Sequence, residues 1–191
     1  MENKKNRLYF VSKSNEKANE LAAFFSKHNI SISHLDYSIE ELQSNDVKRI
    51  VKDKAIKAFK HFSRDLIVEH TSLEIPYLGG LPGGLTQLFV EKLGVEKIAT
   101  ITGGKIAKAR TSIGVIYRNK YFYFEGVVRG RIASKPCGKG GFAWDPIFVP
   151  DGESRTFAQM HSEKPGISMR SKAAAKVVDF LIRERAKEGS K

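Results

Sequence analysis

A chain of 191 residues with 41% hydrophobic content is long enough for one domain with a real core, and it has no apolar run near the ~20 residues of a membrane span. Its N-terminal MENKKNRLYF lacks the apolar stretch of a secretory signal, and its single cysteine, Cys137, excludes an intrachain disulfide; both fit the cytoplasm. The formal net charge of +12 calls for an anionic partner, or for a solvated basic face built on Lys4, Lys5, Arg7 and the C-terminal residues.

Leu8 to Val11 reads as a first strand, and Ser12 to Asn15 as a polar turn into a helix whose Ala18, Leu21, Ala22 and Phe25 share one face. A strand, polar turn and helix can set backbone N–H groups and Lys17 against a phosphate at the helix N-terminus. The GxxxxGKS/T pattern of a P-loop is missing. Ile30 to Leu35 is a second strand. A helix follows from about Asp46 to Phe62, with Val47, Ile50, Val51, Ala55, Ala58 and Phe59 as its apolar stripe. Leu66, Ile67 and Val68 form a short, buried third strand, which completes a β-α-β-α-β alternation. Glu69, His70, Thr71 and Ser72 are expected at the carboxyl end of that strand, where open α/β sheets bind ligands. The glycine-rich loop from Gly79 to Gly84 follows, a segment whose backbone can approach a ligand closely.

Beyond the loop, Leu85 to Leu93 and Val95 to Ile101 read as short helices. Thr111 to Arg118 and Tyr121 to Ile132 form a long hairpin. Cys137 to Gly141 is a second flexible loop leading into Phe142 to Phe148, and a last helix spans about Ser171 to Arg185. The expected fold class is α/β, a single domain over residues 1–191 with a mixed sheet flanked by helices. Two lobes with a central nucleotide-binding cleft between them complete the expectation. There is no RNP-type aromatic motif and no zinc spacing among the five histidines, so nothing local points to nucleic acid.

Six segments in order, FVSKSNEK, ELQS, VEHTSL, LGGLPGG, GFAWDPIFVPDG and SEKPGISMRSKA, resemble the HAM1-like inosine triphosphate pyrophosphatases, which convert non-standard purine nucleoside triphosphates to monophosphate and pyrophosphate. The resemblance implies an elongated mixed α/β fold with a deep cleft, commonly a homodimer. It assigns Ser12, Lys17 and Lys54 to the phosphates, together with Ser14, which stands where the family usually has asparagine, and Phe142, Trp144 and Asp145 to the base. Lys164, Ser168, Met169 and Arg170 fall in the base-selecting segment. A guanidinium donor at Arg170 favours a 6-oxo purine, because adenine would oppose a donor with a donor.

Two departures bear on activity. The resemblance implies an aspartate where this chain has His70, a residue that helps hold Mg²⁺ and activates water, with Glu41 as the other metal ligand. Imidazole adds no negative charge for a hard cation, and Glu69 cannot replace the aspartate because strand neighbours point to opposite faces. Met169 stands where the family has histidine, and its thioether cannot donate a hydrogen bond. The expectation is therefore a receptor for dITP or ITP with weak or lost hydrolysis and a weakened or absent Mg²⁺ site. It is similar to the degenerate HAM1-like sensor subunits of antiphage systems such as Kongming, which work with an effector protein. The alternatives are an active Mg²⁺-dependent pyrophosphatase, in which His70 acts as a base, and a basic nucleic-acid-binding protein.

Overall fold

The computed structural model describes residues 7–139 and 141–189, so Lys4, Lys5 and Gly140 lie outside the described residues. The first half alternates as its hydrophobic periods require. β1 (Leu8–Val11) leads into α1 (Asn15–Ser26), then β2 (Ile32–Leu35), α2 (Val47–Phe62) and β3 (Leu66–Glu74). Local chemistry fixes where the helices start. Ser14 Oγ accepts from the Lys17 backbone N–H at 3.2 Å, and Asp46 Oδ1 accepts from Lys48 and Arg49 N–H at 3.0 and 3.2 Å. Each cap satisfies helix N–H groups that have no partner in the first turn.

The second half is antiparallel. A 3₁₀ turn (Pro76–Leu78) and the two-residue β4 (Pro82–Gly83) precede α3 (Thr86–Thr102), β5 (Ile106–Tyr117), β6 (Lys120–Ile132) and β7 (Phe148–Pro150). A short α4 (Lys164–Ile167) and the long α5 (Met169–Gly189) close the chain. The strands make one sheet in the order β2-β1-β3-β5-β6-β7, with β4 on β3. β1 is parallel to β2 and β3, and every later pairing is antiparallel.

Helices cover both faces. α1 and α5 bury Leu21, Phe25, Ala173, Val177 and Leu181 against Phe10, Ile67, Ile113 and Val115. On the other face α2 buries Val47, Val51, Ala55 and Ala58 against Leu66, Val68 and Ile116. A separate core gathers Ile98, Ala99, Trp144, Phe148 and Phe157 around Leu73 and Val128, and forms the second lobe.

Three boundaries differ from the sequence expectation. β3 does not stop at Val68 but carries Glu69 to Ser72 inside the sheet, paired with β5 from Leu66↔Ile116 to Glu74↔Lys108. β5 accordingly starts at Ile106, five residues before the expected Thr111. Polar residues broke the hydrophobic pattern while the ladder continued through them. α5 begins at Met169, so Met169 and Arg170 occupy a first helical turn rather than a loop. The two short helices expected after the glycine loop meet at Gly94, whose φ of 74° and ψ of 155° kink α3.

Candidate nucleotide-binding cleft

The alternation of β3 splits its polar residues between two environments. Glu69 points to the α1 and α5 face and His70 to the α2 face. Glu69, 4% exposed, is held by Arg170, whose Nε and Nη2 donate to Oε2 and Oε1 at 2.8 and 3.0 Å. Lys17 Nζ stands 3.3 Å from Oε1, and Thr71 Oγ1 donates to the same oxygen at 2.9 Å. Burial alone would raise the Glu69 pKa, but the Arg170 and Lys17 charges hold it well below the usual carboxylate range. Arg170 also donates through Nη1 to Glu20 on α1. Burial opposes its charge, yet the two carboxylates raise its pKa further. Burial lowers the Lys17 pKa, with Glu69 working against it.

On the α2 face, Glu41 carries two partners. Lys54 Nζ donates to Oε1 at 2.5 Å, and His70 Nδ1 lies 3.2 Å from Oε2. Lys54 is tethered again to the Glu69 backbone carbonyl at 2.9 Å. Burial pushes the Glu41 carboxyl up, but the bond from His70 and the Lys54 ammonium outweigh it and bring the pKa down to about 2. The His70 ring is buried, and its Nε2 has no hydrogen-bond partner among the described residues.

Ser12, Ser14 and Lys17 form the turn and first helical turn after β1. Ser12 Oγ accepts from Ser14 N–H at 3.0 Å, while the Ser12 carbonyl accepts from His34 Nε2 at 2.7 Å. The Lys17 ammonium lies 5.0 Å from the centre of the Phe142 ring. Phe142 N–H donates to Asp145 Oδ2 at 2.6 Å, which ties the 141–145 turn together. Gly141 has φ of 90°, and a Cβ there would meet Asp145 Oδ2 at 2.3 Å, so the turn requires glycine.

Trp144 is 1% exposed and packs edge-on to Phe148 with centroids 5.6 Å apart. Its indole N–H is unpartnered among the described residues. Asp145 forms a buried ion pair with Lys164. Ser168 Oγ accepts from the Ser171 backbone N–H at 3.1 Å, and Met169 lies in the second-lobe core.

Two adjoining pockets of about 280 Å³ each make the cleft. One is bordered by Ser12, Ser14, Lys54 and Tyr37, the other by His70, Thr71, Thr86, Ala143 and Trp144. Lys17, Glu41, Glu69, Gln87 and Phe142 line both. Of the residues singled out from sequence, the structure thus brings ten to the cleft: Ser12, Ser14, Lys17, Glu41, Lys54, Glu69, His70, Thr71, Phe142 and Trp144. Asp145, Lys164, Ser168, Met169 and Arg170 line neither pocket and sit behind the wall. Sequence reasoning missed Glu20 and Gln87. Glu20 lies three residues after Lys17 on α1, a spacing that places both on one side of the helix. Gln87, held by a bond to Glu91 Oε1 at 2.8 Å, had no such signal. A larger cavity of about 480 Å³, lined by Arg7, Tyr9, Phe59 and Arg64 among others, contains none of these residues.

The donor set does not fit a hard divalent cation as it stands. Mg²⁺ binds through carboxylate and water oxygens in near-octahedral geometry. Both Glu41 oxygens and both Glu69 oxygens already serve cationic or hydrogen-bonding side chains. Among the described residues no group of three or more His, Cys, Asp or Glu side chains is placed to hold a metal ion.

No helix among the described residues is long and apolar enough to cross a membrane. Comparison with known proteins identifies relatives of this chain and of its fold. The chain is 34% identical over 173 residues to a dITP/XTP pyrophosphatase of Saccharolobus solfataricus, covering 88% of this chain and 90% of that one. It is also 34% identical over 173 residues to inosine triphosphate pyrophosphatase 1 of Trypanosoma cruzi, covering 87% and 88%. The fold superposes on a HAM1 protein from Coxiella burnetii with a TM-score of 0.81 at 24% identity, over 93% of this chain and 98% of that one. The Staphylococcus aureus Ham1 protein gives 0.71 at 25% identity, over 92% and 99%. Residues 8–180 match the Ham1 family, and the chain belongs to it.

Proposed function

We propose that this chain is a receptor for non-standard purine nucleoside triphosphates of the dITP and ITP type, and that it hydrolyses them slowly or not at all. Relatives named dITP/XTP and inosine triphosphate pyrophosphatases support the ligand class. In this reading Ser12, Ser14, Lys17 and Lys54 meet the triphosphate, and Phe142 and Trp144 border the base. Asp145, Lys164, Ser168 and Met169 support the base end from behind the cleft wall, and Arg170 acts through Glu69, whose carboxylate it holds at the cleft. The observation that carries the weak hydrolysis is His70 in contact with Glu41, whose other oxygen Lys54 occupies. Where a second carboxylate would raise the affinity for a cation and polarise water, there is an imidazole, which adds no negative charge, and an ammonium. A receptor calls for a reader, so we assign the chain a homodimeric form that signals to an effector protein, as in antiviral defence.

Calorimetry with dITP should show a one-site isotherm, while a coupled pyrophosphate assay at excess Mg²⁺ reads at least a hundredfold less turnover than an active relative assayed beside it. His70→Asp should raise turnover. Pyrophosphate release by the wild type at the relative's rate, lost in Glu41→Ala, would overturn the receptor reading.

One observation favours a second reading, an active pyrophosphatase. His70 is oriented by Glu41 and its buried Nε2 has no hydrogen-bond partner among the described residues, the arrangement of a carboxylate-held base. The same assay decides between them.

A further inference from the structure

We propose that the cleft takes its triphosphate as the metal-free anion, with the Lys54 ammonium standing where a divalent cation would sit beside Glu41. This inference rests on the receptor reading above and specifies the form of its ligand. Lys54 is buried and fixed at two points, Glu41 Oε1 at 2.5 Å and the Glu69 carbonyl at 2.9 Å. An ammonium has three N–H donors, so these two bonds leave one for a phosphate oxygen. Lys17 stands across the cleft, 3.3 Å from Glu69. It supplies the second cation without breaking the Arg170 clamp on that carboxylate.

Admitting Mg²⁺ would require more than an empty space. A cation on Glu41 would displace Lys54 from Oε1 or His70 from Oε2, and either way the Lys54 ammonium would lie within a few ångströms of a doubly charged ion in a partly buried site, where repulsion is poorly screened. Glu69 gives no alternative. It projects from the opposite face of β3, and both its oxygens are bonded. His70 Nε2 is unpartnered but buried, and an imidazole nitrogen is a poor ligand for a cation that selects oxygen. The ammonium also differs from a metal in one useful respect. It brings positive charge to the phosphates but cannot bind and acidify a water molecule, so ligand is held without being cleaved.

Mg²⁺ and the protein then compete for the same phosphate oxygens. Calorimetric titration of the full chain with dITP, in EDTA and at stepwise increasing Mg²⁺, tests this. The expected result is binding in EDTA that stays within twofold or weakens as Mg²⁺ rises, following the fraction of nucleotide left uncomplexed. Tightening by more than twofold on addition of Mg²⁺ overturns the proposal and leaves the receptor reading in place. Absence of dITP binding at every Mg²⁺ concentration overturns both.

Discussion

Glu69 and Glu41 are neighbours in the cleft with opposite structural roles, and each gives a separate measurement. Glu69 is buried and clamped by Arg170, so replacing it leaves a guanidinium without its main counter-charge. Breaking one partner of a buried pair costs roughly 3 to 5 kcal/mol. Glu69→Gln should lose stability of that order in urea unfolding, and Glu69→Gln with Arg170→Met should recover part of it. Glu41 is partly exposed, so screening trims its contribution and only the direction over pH is sharp. Its pKa falls from an ordinary 4.5 to about 2 on folding, so its stabilisation is complete above about pH 4.5 and is lost as pH falls toward about 2. The stability gap between wild type and Glu41→Gln should therefore narrow across that window in unfolding curves recorded at successive pH values. Sequence alone gave the opposite faces of Glu69 and His70, because strand alternation is local. It did not give the clamp from Arg170, because 101 residues separate the partners and no periodicity links them.

The elements were legible to different depths for a physical reason. α1, α2 and the last helix follow from apolar spacing and from capping side chains, all within a few residues of each other in sequence. β3 was read short because its polar half looks like the end of a strand. Its burial comes from Lys17 of α1 and Arg170 of α5 on one face and from α2 on the other, and its pairing from β5, none of which a window around Glu69 contains. The start of α5 was misplaced for a similar reason. Its first turn is set by close approach to β6 at Gly126, where a Cβ would meet the Met169 carbonyl at 2.0 Å and the Ala173 nitrogen at 2.6 Å. That contact fixes the depth at which Arg170 reaches Glu69. Gly126→Ala must push α5 outward, and strain of this kind costs roughly 1 to 3 kcal/mol. A lower unfolding midpoint together with weaker dITP binding is expected. An unchanged midpoint would show that α5 has slack at this seam.

At the scale of the whole chain, the question is where the net charge of +12 acts. The alternating first half and the long hairpin announced a two-lobed α/β fold with a cleft, and the charge count announced an anionic partner. The count says nothing of where the charge is free. In and behind the cleft the cations are matched: Lys17 by Glu69, Lys54 by Glu41, Lys164 by Asp145, and Arg170 by Glu69 and Glu20. The surplus therefore lies outside the cleft, on surfaces where mobile ions screen it within about 10 Å at ordinary salt. A ligand seated among buried, paired charges and a polymer lying on the screened surface must respond differently to ionic strength. Between ~0.05 and ~0.2 M salt, binding that releases counterions from six or more phosphates falls by roughly a thousandfold or more. Over the same range the affinity for dITP should change far less, since only the few phosphates inside the cleft contribute. Filter binding with duplex and single-stranded DNA beside dITP calorimetry reads both slopes. Nucleic-acid binding that persists at ~0.2 M salt would mean that the exposed basic surface, and not the cleft, is where this chain meets its partner.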